Sequence, residues 1–378
     1  MATAHIRSTF LSSLAIAALV CLGGDWAEIT PAVRADTSSL VRGGPSPNIA
    51  PSGDRTGPAS LASPVMATAS RLTPAPGRTA RPSATPKPRP TPTPTPSPTP
   101  SSPPALSACP IFPATNVWNK PIDNLPVASS SATMIAAVGL TAGLHPDFSA
   151  AGSYGIPFNI VGAATPRARV RFLYSDESDD VGYPIPTAPL IEGGSDRHLI
   201  MVDTNACRLY ELYDTVLANG AWTAGSGATW DLGSNALRPD GWTSADAAGL
   251  PILAGLVRYD EVAAGAILHA LRFTAPATCA GHLYPARHNT GSRSCSAYPP
   301  MGLRVRLKAS ANLSGFGSQA QVVLSALKRY GMILADNGSP WYITGAPDPR
   351  WSDDVLHALG QIHGSDLEVV DTSGLGSG

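Results

Sequence analysis

Residues 195–214 read SDRHLIMVDTNACRLYELYD. Two partly alternating apolar runs, HLIMVD and CRLYELYD, flank a short polar turn, which is the pattern of a β-hairpin. A two-residue turn at Thr204 and Asn205 pairs Val202 with Cys207, Ile200 with Leu209 and His198 with Glu211, and sets Asp196 opposite Tyr213. Side chains alternate between faces, so Asp196, His198, Glu211 and Tyr213 then share one face. An even-length loop keeps that arrangement, whereas an odd one turns one strand over and separates His198 from Glu211.

A carboxylate, an imidazole and a phenol on one sheet face supply a general acid or base, a group that tunes it, and a partner for a sugar ring. Hydrolysis of a glycosidic bond needs two carboxyls, roughly 5 to 9.5 Å apart. Glu211 is the first candidate and Asp196 the second, with His198 as their partner and Glu192 and Asp214 in reserve. The same residue types also serve a polysaccharide lyase, and a cross-strand His–Glu pair is also an ordinary stabilising contact.

Outward from the hairpin, RVRFLY, AILHALRFT and GLRVRLKA also read as strands, and helical patterns are few. Many strands with few helices between them predict a mainly β fold, an antiparallel β-sandwich or jelly roll with a few peripheral helices. SADAAG and YDEVAAG read as single helical turns. SQAQVVLSALKRYG reads as an amphipathic helix capped by Ser318 and stopped by Gly331, and SDDVLHALGQIHG as a helix after Ser352. MILADNG and PWYITG read as a hairpin turning on Asn337-Gly338.

The N-terminal part has another character. His5 and Arg7 precede an apolar run from Phe10 to Leu22, and VRA stands before Asp36, so residues 1–35 read as a secretory signal peptide. That run is too short and thinly flanked for a membrane span of roughly 20 residues. Residues 36–108, ending in TPKPRPTPTPTPSPTPSSPP, form a disordered, semi-stiff linker rich in Pro, Thr and Ser. Residues 109–372 are expected to make a single β-rich globular domain and 373–378 a flexible tail.

Once Cys21 leaves with the signal, Cys109, Cys207, Cys279 and Cys295 remain, and export predicts disulfides among them. The favoured pairs are Cys279 with Cys295, closing the intervening loop, and Cys109 with Cys207, pinning the start of the domain to the hairpin. A zinc site lacks the close ligand spacing it needs, so no metal or cofactor is expected. The formal net charge is −1 with dispersed basic residues, which argues against a nucleic-acid surface.

Other polar clusters lie outside the hairpin. Asp176, Glu177, Asp179 and Asp180 make an acidic loop without the ligand spacing of an EF-hand. RPDGWTSADAAG places Asp240 beside Trp242, whose indole suits stacking on a sugar, and YPARHNTGS places Arg287 and His288 in a loop. With Tyr213, these are the expected substrate-binding residues.

Taken in order, GGSDRHLIMVD, ACRLYELYD, LRPDGWTSADAAGLPIL, GLVRYDEVAAGAILHALRFT, YPARH, MGLRVRLKAS and RYGMILADNG resemble a family of secreted bacterial proteins of unassigned activity, often joined to Pro/Thr-rich linkers. The resemblance covers nearly all of residues 109–372. It implies functional weight on His198, Glu211 and the region from Trp222 to Trp230.

The residues thus point to a secreted polysaccharide-active enzyme, a glycoside hydrolase first, with an extracellular polysaccharide as partner, either free outside the cell or tethered at its surface. The alternatives are a non-catalytic carbohydrate-binding or cell-surface module and a lyase. Oligomeric state is not readable from the chain.

Overall fold

The computed structural model describes Leu106 and residues 109–376. The signal peptide and nearly all of the linker lie outside the described residues. In chain order the elements are helix α1 (Ser131–Gly139), strands β1 (His145–Asp147), β2 (Phe158–Val161), β3 (Arg167–Ala168), β4 (Val170–Phe172), β5 (Tyr183–Pro184), β6 (Leu199–Asp203), β7 (Arg208–Tyr213), β8 (Val216–Ala218), β9 (Ala221–Ala224) and β10 (Ser226–Asp231). There follow α2 (Ile252–Gly255), α3 (Tyr259–Ala263), β11 (Leu271–Ala275), β12 (Arg304–Leu307), α4 (Ser318–Arg329), β13 (Met332–Asn337), β14 (Tyr342–Thr344), α5 (Asp353–His357) and β15 (Leu367–Val369).

The described chain is β-rich with few helices, as expected, but its sheets are mixed. A six-stranded sheet has the order β1-β14-β11-β13-β12-β15 and a four-stranded one the order β10-β7-β6-β2. β1 runs parallel to β14, β11 to β13, β2 to β6 and β4 to β9. This departs from the expected all-antiparallel arrangement. The late hairpin is also corrected, because β11 lies between β13 and β14. Asn337-Gly338 turns the chain, but the next strand pairs with Phe273 of β11 rather than with its sequence neighbour. No helix forms over SADAAG, and Gly317 occupies the cap position expected for Ser318.

The hairpin fixes how the two faces of its sheet are used. Leu199, Met201, Tyr210 and Leu212 pack into a small cluster with Val161, Val170, Tyr183 and Ile185. Ile200, Val202 and Leu209 face the other way, into the main core with Ala228 and Trp230. Every residue of β6 is therefore buried, which is why it reads as a nearly continuous apolar run.

The turn is two residues longer than expected. β6 ends at Asp203 and β7 begins at Arg208, with Leu199 opposite Leu212, Ile200 opposite Glu211 and Val202 opposite Leu209. Asp203 closes the loop locally, its carboxylate accepting the amides of Asn205 at 3.1 Å and Ala206 at 3.0 Å. Cys207 then takes a φ of 48°. The slip of two positions conserves parity, so His198 and Glu211 do share a face.

Both favoured disulfides form, Cys109–Cys207 and Cys279–Cys295. The C-terminal turn is less detached than expected, since Leu375 packs against the core. No helix among the described residues is long and apolar enough to cross a membrane.

Candidate active site

The polar face of the hairpin looks inward, across to the six-stranded sheet. Glu211 has no exposed surface. Its carboxylate oxygens accept the amides of Ile252 and Leu253, each at 2.9 Å. These are first-turn donors of α2, which have no partner inside the helix. Burial pushes the Glu211 carboxyl up to about 7, against the lowering effect of the two amide bonds. The expectation that Glu211 is the acid/base or nucleophile is overturned, because a polymer cannot reach a sealed group that already holds a helix end.

His198 is also buried, at 4 % exposure, at the mouth of the same face. Its Nε2 donates to the Ala245 carbonyl at 2.9 Å, which leaves Nδ1 facing the Glu192 carboxylate. Burial lowers the imidazole pKa, but the hydrogen bond and charge of Glu192 more than offset it, and the net shift is upward. Glu192 also accepts the His198 amide, and its own amide donates to the His198 carbonyl at 3.0 Å. His198 therefore holds the 192–198 loop in place. The Tyr213 ring lies 5.7 Å from the imidazole.

Asp196 leaves the ladder. Arg197 and Asp214, facing each other at the open end of the hairpin, take φ values of 47° and 49°. The Asp214 amide then bonds the Asp196 carbonyl at 2.7 Å. Both non-glycine residues are in the left-handed region, a local strain that the surrounding contacts maintain. Asp196 consequently stands exposed at the rim instead of diagonally beside Glu211.

The six-stranded sheet supplies residues that were not anticipated. Arg272, the second residue of β11, is 3 % exposed. Its Nη2 lies 2.9 Å from the Asp246 carboxylate and 3.8 Å from that of Asp336, and its Nη1 donates to Thr344 Oγ1 at 2.8 Å. A β-bulge makes this possible. The β11–β13 register shifts after Phe273 so that Asp336 pairs with Thr274, which puts Asp336 on the face of Arg272. Burial raises the pKa values of Asp246 and Asp336 despite the guanidinium between them. Asp246 has a fully buried side chain, whereas 29 % of the Asp336 side chain remains accessible.

The same face continues to the sheet edge. Asp147 pairs with Thr344 and His145 with Tyr342, so these four side chains lie on the Arg272 side. Burial also raises the Asp147 carboxyl.

Asp240, Trp242, Arg287 and His288 gather separately. Asp240 Oδ1 meets His282 Nε2 at 3.1 Å and Arg287 Nη2 at 3.2 Å, and His288 Nδ1 bonds the Ala247 carbonyl at 2.8 Å. The Arg238 guanidinium lies over the rings of both Trp230 and Trp242. One face of Trp242 is thereby covered by a cation, and the residue is half-buried. The acidic loop is engaged as well: Asp179 binds Arg238 at 2.8 Å and Asp180 binds Arg169 at 2.9 Å.

Comparison with known protein families, curated proteins and solved structures finds no match to this chain. The functional reading rests on its own residues.

Proposed function

We propose that this chain is a polysaccharide-active enzyme, a glycoside hydrolase, with Asp336 as its general acid and Asp196 as the second carboxyl. The carrying observation is that Asp246 and Asp336 share one guanidinium nitrogen of Arg272, and only Asp336 is open to solvent. Two carboxyls crowded on one cation in a desolvated place do not both ionise readily, so Asp336 is available as a proton donor near neutral pH. Asp196, exposed on the loop whose ends His198 and Glu192 tie together, suits activation of water or attack on the sugar. Tyr213, whose ionisation is hindered by burial first and then by the charges of Asp196, Asp214 and Asp336, orients substrate. His198 is a positioning residue, because its ring atoms are committed to Ala245 and Glu192.

The disulfides fit an oxidising compartment, and the reading places the enzyme outside the cell, on extracellular polymer. The test is a panel of polysaccharides with mass spectrometry of the products. Wild type is expected to release hydrolysed fragments, with Asp336→Asn and Asp196→Asn folded but inactive. Unsaturated products would identify a lyase, retention without cleavage would identify a binding module, and full activity in Asp336→Asn would remove the assigned acid.

A further inference from the structure

The polar sheet face runs from the Arg272 cluster into a cleft of about 440 Å³, lined by His145, Asp147, Tyr154, Tyr342, Asp353 and His357 among others. That volume lies within the range of small-ligand sites, roughly 300 to 1,000 Å³. Asp147 belongs to both regions: it lines the cleft and stands on the sheet face beside Thr344, the hydrogen-bond partner of Arg272. The cleft therefore opens at the edge of the sheet face that carries Arg272.

Its walls select for chemistry. The imidazole of His145 stacks on Tyr342 with ring centroids 4.0 Å apart, making an aromatic wall, and Tyr154 is 63 % exposed at the rim. Ser149, also in the lining, has a buried hydroxyl with no hydrogen-bond partner. No lysine or arginine is among the described residues that line the cleft, while Asp147 and Asp353 are. Burial lowers the His145 pKa, so this imidazole adds little positive charge at neutral pH. Such a cleft repels uronates and favours a cationic sugar.

We propose that this cleft is a glycan subsite for a glucosamine unit with a free amino group, its ring against the tyrosines and its ammonium facing Asp147 and Asp353. The assignment rests on the glycan-cleaving reading and names the substrate class for it. Aromatic faces take the apolar side of the pyranose, and charge-assisted hydrogen bonds from an ammonium to carboxylates are stronger than neutral ones.

The experiment is calorimetric titration of the protein with three tetrasaccharides: fully deacetylated glucosamine, its N-acetylated counterpart and galacturonate. Glucosamine tetramer is expected to bind at least about tenfold more tightly than the acetylated form, with no detectable galacturonate binding. Asp147→Asn and Asp353→Asn should each weaken glucosamine binding about tenfold, and added salt should weaken it further. Thermal melting confirms that the variants fold. Equal binding of the three tetramers, or wild-type affinity in both Asn variants, would overturn the subsite. Binding of glucosamine tetramer without cleavage of any glycan would support the subsite and remove the hydrolase reading. Cleavage of another glycan without glucosamine binding would do the reverse.

Discussion

Glu211 stands opposite Ile200 across the β6–β7 ladder and accepts the amide of Leu253 on Oε1 at 2.9 Å. It belongs to the scaffold. Removing it leaves the amides of Ile252 and Leu253 buried without partners, each unmade bond costing about 1–3 kcal/mol. Glu211→Ala should therefore lower the unfolding free energy by about 2–5 kcal/mol in denaturant titration. Glu211→Gln, which keeps one good acceptor, should lose less. Activity per folded molecule should persist in Glu211→Gln, and its abolition in a fully folded sample would return Glu211 to the chemistry.

Stability should decline from mildly acidic to mildly alkaline pH. For Glu211 the folded chain holds its proton up to about 7 against an ordinary value of 4.5, so between those values the folded state binds more protons than the unfolded state. Unfolding is thus favoured progressively as pH rises through that window, on the order of 3 kcal/mol for this group alone. The raised carboxyls of Asp246 and Asp336 act in the same direction. His198 does too, because its pairing with Glu192 contributes fully below 6.5 and is lost as pH rises through the raised folded value. Denaturant midpoints compared at about pH 5 and about pH 8 check this, and a midpoint that rises with pH would contradict the protonation states assigned to the cluster.

Arg272 and Asp246 form a buried ion pair beneath the proposed acid. Arg272→Leu alone leaves Asp246 with an uncompensated charge and should cost about 3–5 kcal/mol. Asp246→Leu combined with Arg272→Leu should recover much of that loss, since apolar replacements of buried pairs are often tolerated. The double variant should nevertheless shift the pH profile of catalysis, because Asp336 loses the charges of Asp246 and Arg272. A double variant no more stable than Arg272→Leu, measured by the same titration, would show that the pair is not the dominant interaction.

The parity of the hairpin was readable because apolar alternation leaves only two face assignments, and Ile200, Val202 and Leu209 need the core. Its register was not, because Asp203 and Cys207 make a loop whose geometry depends on a side-chain acceptor and a left-handed residue. Depth was harder still. Glu211 is sealed by amides 41 and 42 residues away, and no local pattern announces such a lid. Arg272 did carry a signal, since a charge inside the apolar run AILHALRFT requires a buried partner. Asp147 and the bulge that turns Asp336 toward Arg272 carried none, because both depend on strand pairings distant in sequence.

The two disulfides should differ in their contribution to stability. Cys109 and Cys207 are separated by 98 positions, and Cys279 and Cys295 by 16. A cross-link restricts the unfolded chain more when it closes a longer loop, so the entropic terms are about 4.7 and about 3 kcal/mol. Cys109 also packs in the main core, and Cys207 ends the hairpin loop in the left-handed region, so the first bridge ties the start of the described domain to β7. Replacing Cys109 and Cys207 together by serine should lower the melting temperature more than replacing Cys279 and Cys295. The second pair closes the loop from which Arg287 and His288 reach the Asp240 group, so its loss should loosen that surface first. Hydrogen exchange on the two double-serine proteins distinguishes these effects, with early exchange at β6 and β7 expected for the first and confined to residues 280–295 for the second. The opposite order of melting temperatures would mean that native packing, rather than restriction of the unfolded chain, sets the value of each bridge.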